Sequence, residues 1–121
     1  MRPEPADLEL VGAAVSALRK GRGPELHPTA AAVRTSSGRV VTGLGLGGAC
    51  PEPVALGAAL ALGEQVDRLA AVRHVDADVT RVLTPCRSCR ALLRVHAPRV
   101  RVVHLADGLQ VAPLADLPPA A

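Results

Sequence analysis

The sequence predicts an α/β layered domain, and three observations carry that prediction. Segments with apolar residues at helical spacing alternate with short β-prone apolar runs, the pattern of helices packed on a sheet. At 121 residues the chain suits one compact domain spanning 1–121, and 49% apolar against 21% charged residues describe a globular chain. Aromatic residues are absent. The core therefore falls to Ala, Val and Leu, and a chain this small buries a modest area that oligomerisation would supplement.

Asp7 is placed to cap a first helix whose apolar positions Leu8, Val11, Ala14, Val15 and Leu18 follow the spacing of a buried face, ending at Gly21-Arg22-Gly23-Pro24. TAAAVRT and RVVTGLGL flank Ser36-Ser37-Gly38, so residues 29 to 46 read as an antiparallel hairpin. After Gly47-Gly48-Ala49, the segment CPEPVALGAALALGE begins a helix close to Cys50. Its prolines 51 and 53 fit a first turn, where N–H groups have no intrahelical acceptor. RLAAVRHV has the length and continuous apolarity of a buried strand, and Val79 to Thr84 is a second candidate around the Asp76-Ala77-Asp78 turn. Pro85 opens PCRSCRALLRVHA, a short helix stopped by Pro98. VRVVHLA and LQVAPLA form a hairpin-like pair about Asp107-Gly108, and the tail LADLPPAA reads as frayed. The order is helix, two strands, helix, strand, helix, two strands.

Composition narrows the function classes. The net charge is +3, but 14 Lys and Arg are spread along the chain and offset by 11 acids, so no basic stripe marks a polynucleotide groove. Without aromatic residues there are no stacking platforms for single strands, and a nucleic-acid partner is not expected. No apolar stretch approaches the roughly 20 residues of a membrane span, and MRPEPADLEL lacks the plan of a secretory signal, which predicts a cytoplasmic protein without membrane partners. Three cysteines, two of them as C-x-x-C in such a chain, favour thiolate chemistry over disulfides.

Those cysteines form the informative pattern: C-x-E at Cys50 to Glu52, then P-C-x-x-C at Pro85 to Cys89. Three thiolates leave the fourth tetrahedral position of zinc open for water, as a catalytic site requires. Both motifs lie at predicted helix starts, where N–H groups and partial positive charge favour thiolates. Glu52 follows Cys50 closely enough to shuttle a proton without being a ligand. A first ligand, one residue, a Glu and then P-C-x-x-C is the pattern of zinc deaminases. Taken singly, either motif is more simply a set of buried cysteines. A closed structural zinc is the other reading, with His27, His74, His96 or His104 as fourth ligand, although none has local ligand spacing.

On these residues the chain resembles the cytidine deaminase superfamily, specifically the tetrameric type of cytidine deaminase and most closely the blasticidin S deaminases. DLELV at 7–11, AAVRT at 31–35, CPEPVALGAA at 50–59, AVRH at 71–74 and TPCRSCR at 84–90 stand in the family's order. The resemblance implies a three-layer α/β/α fold with a central five-stranded mixed sheet. It also implies one Zn2+ per subunit on Cys50, Cys86 and Cys89, Glu52 as catalytic proton shuttle, and a homotetramer or homodimer. The chain departs from the family in its substrate contacts. Where the family's second strand ends with an Asn and a Glu that hold the ribose, this chain has Gly45 and Gly47. The Ala whose N–H holds the pyrimidine carbonyl is replaced by Pro51, which has no N–H. The family's Gly after the second cysteine is Arg87, and the Gly before the AA pair of the first strand is Ala30. Three thiolates on one divalent ion leave a net negative site, for which Arg87 and Arg90 are candidate compensating charges.

The sequence thus predicts a hydrolytic deaminase that converts cytidine, deoxycytidine or a blasticidin S type of cytosine compound to its uracil analogue with release of ammonia. The rival is a catalytically degenerate zinc-binding module for a ligand or partner protein, favoured by Pro51 and the glycines and opposed by Glu52. A nucleic-acid deaminase ranks last.

Overall fold

The computed structural model describes residues 1–21, 28–47, 49–76 and 79–119. Along the chain run α1 (Pro5–Lys20), β1 (Thr29–Thr35), β2 (Val40–Leu44), α2 (Pro51–Ala61), β3 (Val66–Asp76), β4 (Val79–Leu83), α3 (Arg87–His96), β5 (Arg101–Leu105), β6 (Leu109–Pro113) and a 3-10 turn at Leu114–Asp116.

The strands form one mixed sheet in the order β2-β1-β3-β5-β6, the five-stranded path expected from the resemblance, with β4 as a sixth strand on β3. All pairings are antiparallel except β3 with β5. The sixth strand exists because β3 is 11 residues long. Its Arg68 and Leu69 pair with β5, which leaves the same edge free further along for β4, from Ala71 opposite Leu83 to Asp76 opposite Val79. At the other hairpin, Asp107 (φ 50°) and Gly108 (φ 93°) take the positive φ that reverses the chain between β5 and β6.

Both faces of the sheet are covered, which explains why β1 and β3 read as apolar runs rather than alternating patterns. Ala30, Ala32, Ala70, Val72, Val103 and Val111 pack against α1 through Leu10, Ala14 and Leu18. Ala31, Val33, Leu69, Ala71 and Val102 face the other way, onto Ala55, Leu56 and Ala59 of α2 and Leu93 of α3. The result is three layers, with α1 on one side and α2 and α3 on the other. Gly43 sets the closeness of one contact: a Cβ there would lie 2.6 Å from the Ala55 backbone nitrogen, so only glycine lets α2 rest on β2.

Two expectations for the termini change. The first helix begins two residues before Asp7, whose carboxylate lies inside the first turn. It accepts the Glu4 N–H at 2.8 Å and faces Arg68 at 3.4 Å. The buried stripe is Leu10, Ala14 and Leu18, while Leu8, two residues from Leu10 and so on the opposite side, is 51% exposed. The tail is not frayed through residue 117, because Leu114 and Leu117 close the α2/α3 side of the core. The expected helix stop at Arg22-Gly23-Pro24 lies outside the described residues, as do Gly48 and the Ala77-Asp78 part of the β3–β4 turn. Among the described residues no helix is long and apolar enough to cross a membrane.

Leu10→Ala is expected to cost about 2–5 kcal/mol of unfolding free energy, as for a buried leucine. Leu8→Ala should change it by no more than about 0.5 kcal/mol. Urea unfolding followed by circular dichroism measures both, and equal losses would contradict the assigned face of α1.

Candidate metal centre

Two helix N-termini bring the cysteines together. Cys50 is the residue before α2, Cys86 the residue before α3, and Cys89 lies in the first turn of α3. Their Sγ atoms all lie within 4.8 Å of one another, at 3.8 Å for Cys50 to Cys86 and 3.4 Å for Cys86 to Cys89. These separations are far beyond a disulfide bond. They are instead those of one tetrahedral ion: bonds of about 2.3 Å to sulfur hold the sulfurs about 3.8 Å apart. An all-thiolate donor set suits zinc.

The two helix starts differ electrostatically. At α3 the backbone N–H groups of Cys89 and Ser88 reach the Cys86 sulfur and hold its thiol below the usual range. At α2, Pro51 and Pro53 remove two of the first three helical N–H groups, and Cys50, lacking those donors, is pushed up by burial. Burial, reinforced by the charge of Glu52, pushes Cys89 up as well. The sequence-based expectation that both helix starts favour thiolates therefore holds at Cys86 and fails at Cys50, for want of donors.

Glu52 is 4% exposed, and burial raises its carboxyl above the usual carboxylate range, partly offset by its own N–H. It lines a cleft of about 330 Å³ together with Cys50, Cys86, Thr29, Gly45 and Arg73. Gly45 cannot carry a side chain in this geometry. A Cβ would collide with the Thr29 hydroxyl and come within 2.9 Å of the Ala49 carbonyl. Gly47 is different, with open space around it.

The remaining candidates are dispersed. Arg87 is exposed at the first position of α3 and does not line the cleft. Arg90 is buried and its Nε donates to the Pro85 carbonyl at 2.9 Å, fixing the turn that delivers Cys86. Ala30 is fully buried on the α1 side of the sheet. His74 lies half-buried on β3, His96 is exposed at the end of α3, and His104 is buried on β5. Among the described residues no histidine joins the three sulfurs, and His27 lies outside them. The cleft residue that sequence reasoning missed is Arg73. RLAAVRHV reads as one buried strand, yet an arginine two positions after Ala71 shares its face and has to emerge where the core ends.

No protein-family model matches the chain. It is 33% identical over 103 residues to the blasticidin-S deaminase of Bacillus cereus, across 76% of this chain and 74% of that protein. Its structure superposes on cytidine deaminase from Mycobacterium leprae with a TM-score of 0.68 and 28% identity, covering 92% of this chain and 95% of that one. It shares the fold of the cytidine deaminase from Bacillus anthracis with a TM-score of 0.75 and 21% identity, covering 91% and 84%.

In metal-free protein, iodoacetamide is expected to modify Cys86 first, because its thiol is exposed and lowered, while Cys50 is raised and Cys89 is both raised and buried. Raising the pH should bring in Cys50 next. Peptide mapping reads the order, and early alkylation of Cys50 would contradict the donor argument.

Proposed function

This chain belongs to the cytidine deaminase superfamily, and from that premise we propose that it is a zinc-dependent hydrolytic deaminase of cytosine-bearing nucleosides or nucleoside antibiotics. The observation that carries the proposal is the convergence of three thiols at tetrahedral sulfur spacing beside a buried carboxyl, with Cys50, Cys86 and Glu52 lining one cleft. Cys50, Cys86 and Cys89 hold one zinc ion per chain. When bound, the ion supplies Lewis-acid activation of water and neutralises thiolate charge.

The chain's own residues do the rest. Glu52 takes a proton as the water oxygen adds to C4 of the cytosine ring and delivers protons to N3 and the departing amine. The C4–N bond breaks, ammonia leaves and a uracil-type ring remains. Burial suits the carboxyl to hold the proton between those steps, since desolvation disfavours its charged form. Arg90 acts at a distance, holding the Pro85 carbonyl and with it the approach of Cys86 to the cluster.

The reading includes a cytoplasmic location, where thiols stay reduced. It also includes a homotetramer or homodimer, with no nucleic-acid or membrane partner. Support for assembly comes from α2, which is apolar nearly all round and leaves Val54 and Leu60 exposed in the isolated chain. The second reading, a zinc-binding module without turnover, is favoured by Pro51 and by the crowding at Gly45, which remove two contacts the family uses.

Glu52→Gln is expected to keep the zinc and fold but lose at least about 100-fold in kcat on cytidine or blasticidin S, the scale of general acid–base catalysis. Retained turnover would remove Glu52 from the mechanism. Cys89→Ser should lose bound zinc by elemental analysis and lower the melting temperature, because metal binding contributes to folding. Full zinc occupancy would refute the ligand set. Light scattering should report an assembly larger than a monomer, and a monomer would overturn the oligomer proposal.

A further inference from the structure

Position 45 belongs to the cleft wall but carries no functional group of its own. The Gly45 N–H donates to the Thr29 carbonyl at 2.8 Å, which sets Thr29 beside it just past the paired part of β1 and β2. The space that a Cβ of residue 45 would need is filled by the Thr29 hydroxyl. Thr29 shares the face of Ala31 and Val33, which pack toward α2, so its side chain stands on the sulfur-cluster side of the sheet, one step beyond the core. It is half-buried and lines the same cleft as Glu52, Cys50 and Cys86. Among the described residues its hydroxyl has no hydrogen-bond partner.

Ring geometry decides what passes that hydroxyl. For deamination C4 of a cytosine ring has to reach Glu52 and the cluster, and N1 lies across the six-membered ring from C4. The substituent on N1 therefore points away from the sulfurs, toward the strand wall. On the β2 side that wall is Gly45 and then Gly47, which is exposed with open space around it, so neither position offers a polar side chain. The cleft has two side-chain hydroxyls, Thr29 and Thr84. Thr84 stands two residues before Cys86, in the turn that delivers a ligand, which leaves Thr29 as the hydroxyl of the strand wall. Its β-branched side chain has few rotamers, so the strand fixes where the oxygen sits. A hydroxyl both donates and accepts, and a few placed polar groups of this kind orient a ligand in an otherwise apolar pocket.

We propose that Thr29 is a specificity-determining residue whose hydroxyl bonds a hydroxyl of the sugar on N1, and that position 45 is glycine because any side chain there would displace it. The sugar contact comes from β1 through Thr29, in place of a side chain on β2. The substrate is accordingly a cytosine compound with a hydroxylated sugar, preferred over the free base. The assignment rests on the deaminase reading for the placement of the ring, but the contact is measurable by binding without turnover.

The experiment compares kcat/KM of zinc-loaded wild type, Thr29→Val and Thr29→Ser on cytidine, its 2′-, 3′- and 5′-deoxy analogues, and cytosine. Thr29→Val keeps the shape and removes the hydroxyl. It is expected to lower the cytidine-to-cytosine ratio by roughly 3- to 10-fold, the range of one neutral hydrogen bond, while Thr29→Ser retains most of the ratio. The deoxy analogue that loses the same factor with the wild type, and is indifferent to Thr29→Val, identifies the sugar hydroxyl. Gly45→Ala should lose the ratio too, because its Cβ pushes the Thr29 hydroxyl aside. In parallel, calorimetry on zinc-loaded Glu52→Gln measures binding of cytidine and cytosine, with and without Thr29→Val. Turnover of cytidine with a ratio that Thr29→Val leaves unchanged overturns the contact and leaves the deaminase reading standing. Equal losses on cytidine and cytosine also overturn it, since they assign Thr29 to the fold or the ring. Thr29-dependent preference for binding cytidine over cytosine, with no turnover by the wild type, overturns the deaminase reading and supports the contact.

Discussion

The constraint on which the rest of this structure depends is the meeting of two helix N-termini, closely enough that three sulfur atoms lie within 4.8 Å. Every feature around the cluster serves that approach. Gly43 lets α2 settle onto β2, small alanines at 31, 55, 59 and 71 thin the layer between helix and sheet, and the Arg90 side chain ties the Pro85 carbonyl to the first turn of α3. In a chain without aromatic residues, close packing of small side chains replaces bulk as the means of positioning a site.

The electrostatics of the centre follow from the same two helix starts. Prolines in the first turn of α2 cost no helical hydrogen bonds, yet they deprive Cys50 of donors, so Cys86 alone is held toward its thiolate before a metal binds. The buried Glu52 adds negative charge beside the thiols. A divalent cation bound there would relieve these costs together, so the proposed zinc would serve both the folding and the chemistry of the site.

Much of this was legible in the sequence, and what was not has physical causes. The helices, the hairpins and the C-x-E and P-C-x-x-C pairing follow from local periodicity, proline placement and ligand type. Periodicity pointed to Leu8 rather than Leu10 as the buried edge of α1, because both belong to overlapping three-to-four series and only packing in the cluster with Ala30 and Val72 selects Leu10. The partner of β4 depends on how far β3 outruns β5, a tertiary fact. The tail looked polar and proline-rich, but two leucines three residues apart suffice to pin it. Arg73 was hidden within an apolar run whose burial ends at Val72.

The most direct test of the account follows ammonia and ultraviolet absorbance together in a chain with no Trp or Tyr to obscure the signal, before and after removal of metal by a chelator. The account predicts one ammonia for each uracil-type product, loss of both on chelation, and recovery on restoring one zinc per chain. Turnover that persists in metal-free protein, or fully zinc-loaded protein that deaminates no cytosine compound, neutral or anionic, would contradict it.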